Sequence, residues 1–307
     1  MQVITKKLPK STLQLNISVP ADKVGEVYNE VLVALAGSSE MKGFRKGKAP
    51  KELVEKSLDP AKINGEVVNK LLEKYYIQAL KEQKINPIAN PRIEIQKFEL
   101  EESFEFTAKI AIKPEIKLGD YKKALKTKAT KKKEDAKKKK EEALKEGKDL
   151  KDVHNHLHTK EILDTIVEET EVEVPDLLVE DEVNRMSARL IDQIQSLNME
   201  MEQYLKAQNK SSEQLTEEFS KVAEDNLKAE FAMAQAVKEA KIEVTDEEIE
   251  ETAKASGDPK ALENLKDPVH KWYIKSVLEK NRLLVSLMEE LEGEKKASTN
   301  GGKEKDK

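Results

Sequence analysis

The sequence predicts an α+β N-terminal domain followed by a mostly α-helical C-terminal domain with extended helical arms. Three observations carry this. Apolar residues alternate strictly at Leu13, Leu15, Ile17 and Val19, and again at Phe104, Phe106, Ala108, Ile110 and Ile112, the period of half-buried strands. From Val179 onward they recur every three or four residues, the period of amphipathic helices. Between the two patterns runs a lysine-rich stretch with too few apolar residues to pack a face.

Composition narrows the function classes. The 307-residue chain is long enough for two or three domains, and its charged fraction of 37% exceeds the roughly 25% of ordinary globular chains. Aromatics make up only 4%, which suits long helices with wide solvated faces. There is no cysteine, so disulfides, thiolate metal sites and thiol nucleophiles are excluded. The start, Met1-Gln2-Val3-Ile4-Thr5-Lys6-Lys7, has no long apolar run, and no stretch approaches the ~20 apolar residues of a membrane span. The expectation is a soluble, cytoplasmic protein without membrane contact. Net charge is +3 over residues 1–120, +8 over 121–151 and −16 over the remainder. A basic front and an acidic back suit approach to a polyanion by one end.

The elements follow in order. After Pro20, Val24, Val27, Tyr28, Val31, Leu32 and Leu35 predict a helix ending near Gly37. A basic loop follows, Gly43-Phe44-Arg45-Lys46-Gly47-Lys48-Ala49-Pro50, in which two glycines permit a tight turn and Pro50 suits a first helical turn. Its tip reads either as a docking finger or as a local plug (Phe44) among solvated charges. A short helix to Leu58 follows, Asp59-Pro60 opens a longer one with Val68, Leu72, Tyr75 and Ala79, and Asn86-Pro87 closes it. Ile93 and Ile95 mark a strand, and Glu101-Glu102-Ser103 a turn into the Phe104–Ile112 strand.

In the middle, Glu134–Lys138, Asp135–Lys139 and Glu141–Lys145 have helical i,i+4 spacing, so Lys122 to Lys151 reads as a solvated helix or a linker, with contact to RNA phosphate as its functional reading. His154-Asn155-His156-Leu157-His158 is a metal-like cluster without a spaced carboxylate, and a polar helix lead-in is the favoured reading over a metal site. The C-terminal region then opens with a helix bearing Ile162, Leu163, Ile166 and Val167. A single stripe runs from Val179 through Val183, Met186, Leu190, Ile194, Leu197 and Met201 to Tyr204, closed by Asn209-Lys210. Ser211 with Gln214, and Thr245 with Glu248, are capping-box patterns opening two further helices. Gly257-Asp258-Pro259 is a break, and Asp267-Pro268 starts the last helix, carrying Trp272, Val277, Leu284, Leu287 and Met288.

The octapeptide Gly43–Pro50 resembles the ribosome-docking signature of the trigger factor family. Val174–Val179, Tyr204-Leu205 and Ile242–Glu248 resemble places in that family's C-terminal domain. The resemblance implies a ribosome-binding α+β domain over 1–118 and a lysine-rich linker or solvated helix over 119–158. It further implies a helical substrate-binding domain over 159–292, with a disordered tail over 293–307. The family usually carries an FK506-binding-type prolyl isomerase domain in its middle. No Phe, Tyr or Trp occurs between Tyr121 and Tyr204 to line such a pocket, so that domain is expected to be absent, with no catalytic residue, cofactor or metal.

By resemblance, Gly43, Phe44, Arg45, Lys46, Gly47, Lys48 and Pro50 contact protein and RNA of the large ribosomal subunit at the tunnel exit. Met186, Met199, Met201, Phe219, Phe231, Met233, Trp272 and Met288 contact unfolded nascent chains, thioethers being adaptable binders. The implied function is an ATP-independent chaperone, with room for a homodimer when the protein is free. The alternatives are a ribosome-independent holdase or assembly factor, and a prolyl isomerase.

Overall fold

The structure is a computed structural model that describes residues 1–38, 53, 55, 58–146, 156–257 and 260–299. These form two compact units, one of Met1–Pro114 with Glu173–Tyr204 and one of Glu115–Val172 with Leu205–Lys307.

The first unit is an antiparallel sheet with two helices on one face. Strands β1 (Gln2–Leu8), β2 (Thr12–Val19), β3 (Arg92–Lys97) and β4 (Phe104–Ala111) lie in the order β1-β2-β4-β3. Because β2 and β4 both alternate, the register that sets Ile17 opposite Phe106 and Leu15 opposite Ala108 puts every large side chain on one face. Helices α1 (Ala21–Ser38) and α2 (Pro60–Gln83) cover that face with Val24, Val27, Val31, Ile63, Val67 and Leu71. The α2 start is as predicted: the Asp59 carboxylate accepts from the Ala61 N–H at 2.9 Å, and Pro60 follows. Lys84 then closes the helix in the left-handed conformation at φ 54°.

Strand β1 is absent from the expectation. It is an edge strand with most of its side chains in water, Ile4 included, so alternation leaves no trace in its sequence. Helix α5 (Asp176–Ser196), expected in the C-terminal domain, belongs to this unit. Its first turns are tied down by Lys10–Asp176 at 2.7 Å, by Arg92–Glu180 at 3.1 Å and by the buried Leu178.

The second unit is helical around a small sheet. Strands β5 (Ile116–Leu118) and β6 (Thr170–Val172) pair antiparallel, and the remaining elements are α3 (Tyr121–Glu146), α4 (Thr159–Glu168), α6 (Met201–Gln208, at which the unit begins again), α7 (Ser212–Glu239), α8 (Asp246–Ala255), α9 (Ala261–Asn264) and α10 (Pro268–Thr299). Gly119 donates to the Glu169 carbonyl at 2.7 Å, and a Cβ there would sit 3.0 Å from that oxygen and 2.9 Å from the Glu169 carboxylate. Any larger residue would force Glu169 to shift away. The core joins Tyr121, Leu125 and Ala129 of α3, Ile162 and Ile166 of α4, Ala232, Met233 and Ala236 of α7, and Leu283 and Leu287 of α10.

Four expectations need correction. Of the span 119–158, expected as a linker or a solvated helix, the described part is mainly the helix α3, which is solvated along much of its surface but buries Tyr121, Leu125, Ala129 and Ala136 along one side. Glu134–Lys138 and Asp135–Lys139 are not among the ion pairs of the described residues. Lys126, Lys128 and Lys132 instead reach Glu290, Glu168 and Glu161 on other helices. The stripe from Val179 to Tyr204 is two helices, interrupted where Asn198 takes a positive φ of 52°. Finally, α10 runs past Gly293 to Thr299, and residues 300–307 of the expected tail lie outside the described residues. Both capping boxes form as expected, Ser211 accepting from Gln214 N–H at 3.2 Å and Thr245 from Glu248 N–H at 3.4 Å.

Candidate functional site

The loop residues Gly43, Phe44, Arg45, Lys46, Gly47, Lys48 and Pro50 lie outside the described residues. Described residues beyond the loop do make contacts with the first unit. Leu58 packs against the first unit's core, and the Tyr28 hydroxyl donates to the Glu55 carboxylate at 2.7 Å. Burial first, and then the bond to that anion, push the Tyr28 phenol up to about 12.

In the second unit the candidate surface is the first half of α10. Asp267 caps the helix through the Val269 N–H at 3.0 Å. Lys271 pairs with Asp246 at 2.8 Å. Arg282 donates to the Glu243 carbonyl at 2.5 Å and also pairs with Glu248, while Lys280 pairs with Glu230. These contacts tie the helix to its neighbours, and Val269, Trp272, Tyr273 and Val277 remain in water. Trp272 is 66% exposed and Val269 71%, whereas Leu283 and Leu287, on the same helix face, are 1% and 3% exposed. Arg282, with help from the Thr245 N–H, also holds the Glu248 carboxyl below its ordinary value.

The predicted contact residues divide into three groups. Trp272 is exposed. Met186, Met199, Met201, Phe219 and Phe231 are half-buried, Met186 and Met199 in the first unit and Phe219 and Phe231 along α7. Met201, at the start of α6, also falls in the first unit, and Met288 is half-buried against the second core. Met233 is buried at 4% exposure inside that core, so its expected role as a contact is corrected to packing; helical spacing alone does not say which side of α7 is covered. Sequence reading missed Val269 and Tyr273, although Tyr273 adjoins Trp272 and a second aromatic beside an unpaired tryptophan was a readable signal.

A second feature is polar. A cleft of about 510 Å³ lies between α3 and α4, lined by Lys128, Lys132, Lys139, His158, Glu161 and Glu168 among others. Four of its charges are engaged with one another: Lys132 and the His158 N–H, the latter at 2.7 Å, together depress the Glu161 carboxyl, and Lys128 pairs with Glu168. His158 thus opens α4 as the expected polar lead-in, with its ring 5.2 Å from that of His156.

The sequence model of the bacterial trigger factor protein matches residues 1–146, and that of its C-terminus matches residues 118–291. The chain belongs to the trigger factor family. The two matches overlap across 118–146, the span of α3, and leave no unmatched stretch between them. The trigger factor of Desulforamulus reducens is 34% identical over 130 residues, 42% of this chain and 30% of that relative. That of Bacillus cytotoxicus is 37% identical over 117 residues, 38% of this chain and 27% of the relative. The chain thus spans less than a third of these relatives' length in the matches. A solved trigger factor chaperone, described for promiscuous substrate recognition in folding and assembly, superposes with a TM-score of 0.62 at 16% identity, covering 95% of this chain and 100% of that one. The fold of the family, an α/β N-terminal region with a helical C-terminal part, is therefore the fold of this chain. Among the described residues no helix is long and apolar enough to cross a membrane.

Proposed function

We propose that this family member is an ATP-independent chaperone of the cytoplasm that docks at the ribosomal tunnel exit and holds emerging polypeptide segments. The observation that carries the holding role is the exposed apolar face on the first half of α10, with Val269, Trp272, Tyr273 and Val277 in water. Exposed large apolar groups clustered on one helix face are a liability unless they bind something. The half-buried Phe219 and Phe231 of α7 add further apolar surface, and weak contacts of this kind suit clients of varied sequence.

Docking is assigned to Phe44, Arg45, Lys46 and Lys48 by family membership and by their chemistry: Arg45 suits a carboxylate, Lys46 and Lys48 suit phosphate or carboxylate, and Phe44 gives apolar contact. An isomerase role is set aside, because the matched regions are the family's N- and C-terminal parts and no Phe, Tyr or Trp lies between Tyr121 and Tyr204.

The test has two readouts on the full chain. Suppression of aggregation of an unfolding client should fall several-fold in a Trp272→Ser/Tyr273→Ser variant, and unchanged suppression would refute the α10 assignment. Saturable co-sedimentation with ribosomes should be lost in a Phe44/Arg45/Lys46→Ala variant, and retained binding would refute the docking assignment. A proline-limited refolding assay should show no catalysis above background.

A further inference from the structure

Helix α3 carries more positive charge than its fold uses. Between Tyr121 and Lys140 it has eleven lysines and two carboxylates. Lys126, Lys128 and Lys132 are engaged with Glu290, Glu168 and Glu161, which dock the helix on its unit. Lys122, Lys123, Lys131, Lys133, Lys137, Lys138, Lys139 and Lys140 make no ion pair among the described residues. Lysines three or four apart on one helix, such as Lys133 and Lys137 or Lys137 and Lys140, repel. Such repulsion weakens the helix, and a polyanion laid along it would relieve it.

The direction of the charge is fixed by packing. Tyr121, Leu125, Ala129 and Ala136 turn one side of α3 into the core. Lys123, Lys137 and Lys138 fall on the opposite side at a helical 100° per residue, with Thr127, Thr130 and Glu134 among them. Lys122 to Lys140 is 19 residues of helix, about 27 Å of cationic rod from end to end at ~1.5 Å per residue.

The composition of that outer side selects the partner. A helix that lies on a membrane needs large apolar residues beside its cations. The outer side of α3 has threonines there instead. A protein partner would need aromatic or arginine anchors, and lysine is depleted at such interfaces. Lysine as a mobile point charge suits regularly spaced phosphates. We propose that the outer face of α3 binds RNA through its phosphate backbone, without base readout. This deepens the ribosome reading by adding an RNA contact on the second unit, separate from the Gly43–Pro50 loop.

The experiment is fluorescence anisotropy of a labelled ~20-base-pair RNA duplex with the full chain across a salt series. Lys123→Gln/Lys131→Gln/Lys137→Gln/Lys138→Gln removes four cations that touch no carboxylate and keeps helix propensity. The salt slope should fall by roughly 3 to 4, and affinity at moderate salt by at least about tenfold. The matching Lys→Arg variant should bind as the wild type does, and single Lys→Gln changes should each lower the slope by up to ~0.9, which protects the test against a misfolded quadruple variant. Unchanged affinity and slope in the quadruple variant would overturn the proposal, as would equal displacement of the RNA by polyglutamate or by anionic vesicles at matched charge. Loss of RNA binding in this variant, together with failure of the wild type to sediment with ribosomes, would uphold the α3 site and refute the ribosome reading instead.

Discussion

The two halves of α10 share one face and meet opposite fates. Val269 lies 18 residues before Leu287, about five helical turns, and Trp272 lies 11 before Leu283, about three, so each pair points the same way. Yet Leu287 and Leu283 are 3% and 1% exposed while Val269 and Trp272 are 71% and 66%. An apolar stripe therefore specifies a helix and a direction, but not whether anything covers it. In the second half α3, α4 and α7 do so, and in the first half the stripe is left over from folding.

The sharpest test of that contrast replaces one residue in each half. Leu283→Ala should destabilise the second unit by about 2–5 kcal/mol, because it empties a fully buried site. Trp272→Ala should stay within about 0.5 kcal/mol despite removing a larger side chain. Chemical denaturation of both variants decides the matter, and a large loss at Trp272 would mean that the exposed half is structural after all. A smaller effect is expected where the second unit begins. Gly119→Ala should cost about 1–3 kcal/mol by driving β5 away from Glu169, seen as a lowered unfolding midpoint.

Thr245→Ala tests the segment that braces the exposed half of α10. Loss of the cap should cost about 1 kcal/mol, again without touching the surface that would hold clients. The smallest effect is expected from pH. The folded Glu248 carboxyl sits below its ordinary value of 4.5 because Arg282 and the Thr245 N–H favour its anion. The stability it contributes is present above 4.5 and is lost as pH falls through the lowered folded value. Denaturation midpoints measured down through that window should fall less steeply in Arg282→Gln than in the wild type.

Much of the fold was legible in the sequence because it obeys local rules. Alternation in β2 and β4, the Asp59-Pro60 start and both capping boxes use contacts a few residues apart, or a face buried along its whole length. What escaped was decided elsewhere in the chain. Strand β1 exists because β2 offers it an edge, and β5 and β6 are three residues each, too short to show a period. The burial of α3 depends on Ile162, Ile166 and Leu283, none of them visible from a lysine-rich run. The candidate surface was half legible: Trp272 stood out as the single tryptophan, whereas Met233 looked the same as an exposed methionine until α7 was packed.

The order in which the segments are made has a consequence of its own. The sheet and helices of the first core lie within residues 1–114, so they can assemble as soon as that stretch is synthesised. The second unit is split by residues 173–204, and its α3 and α4 leave the ribosome long before α7 and α10 exist to cover Leu125, Ile162 and Ile166. The wait between Val172 and Leu287 is on the order of 6 to 23 s at ordinary rates of translation. For that interval the lysine-rich run of 122–140 is the most strongly charged part of the unfinished unit, and like charge on a neighbouring chain opposes its approach.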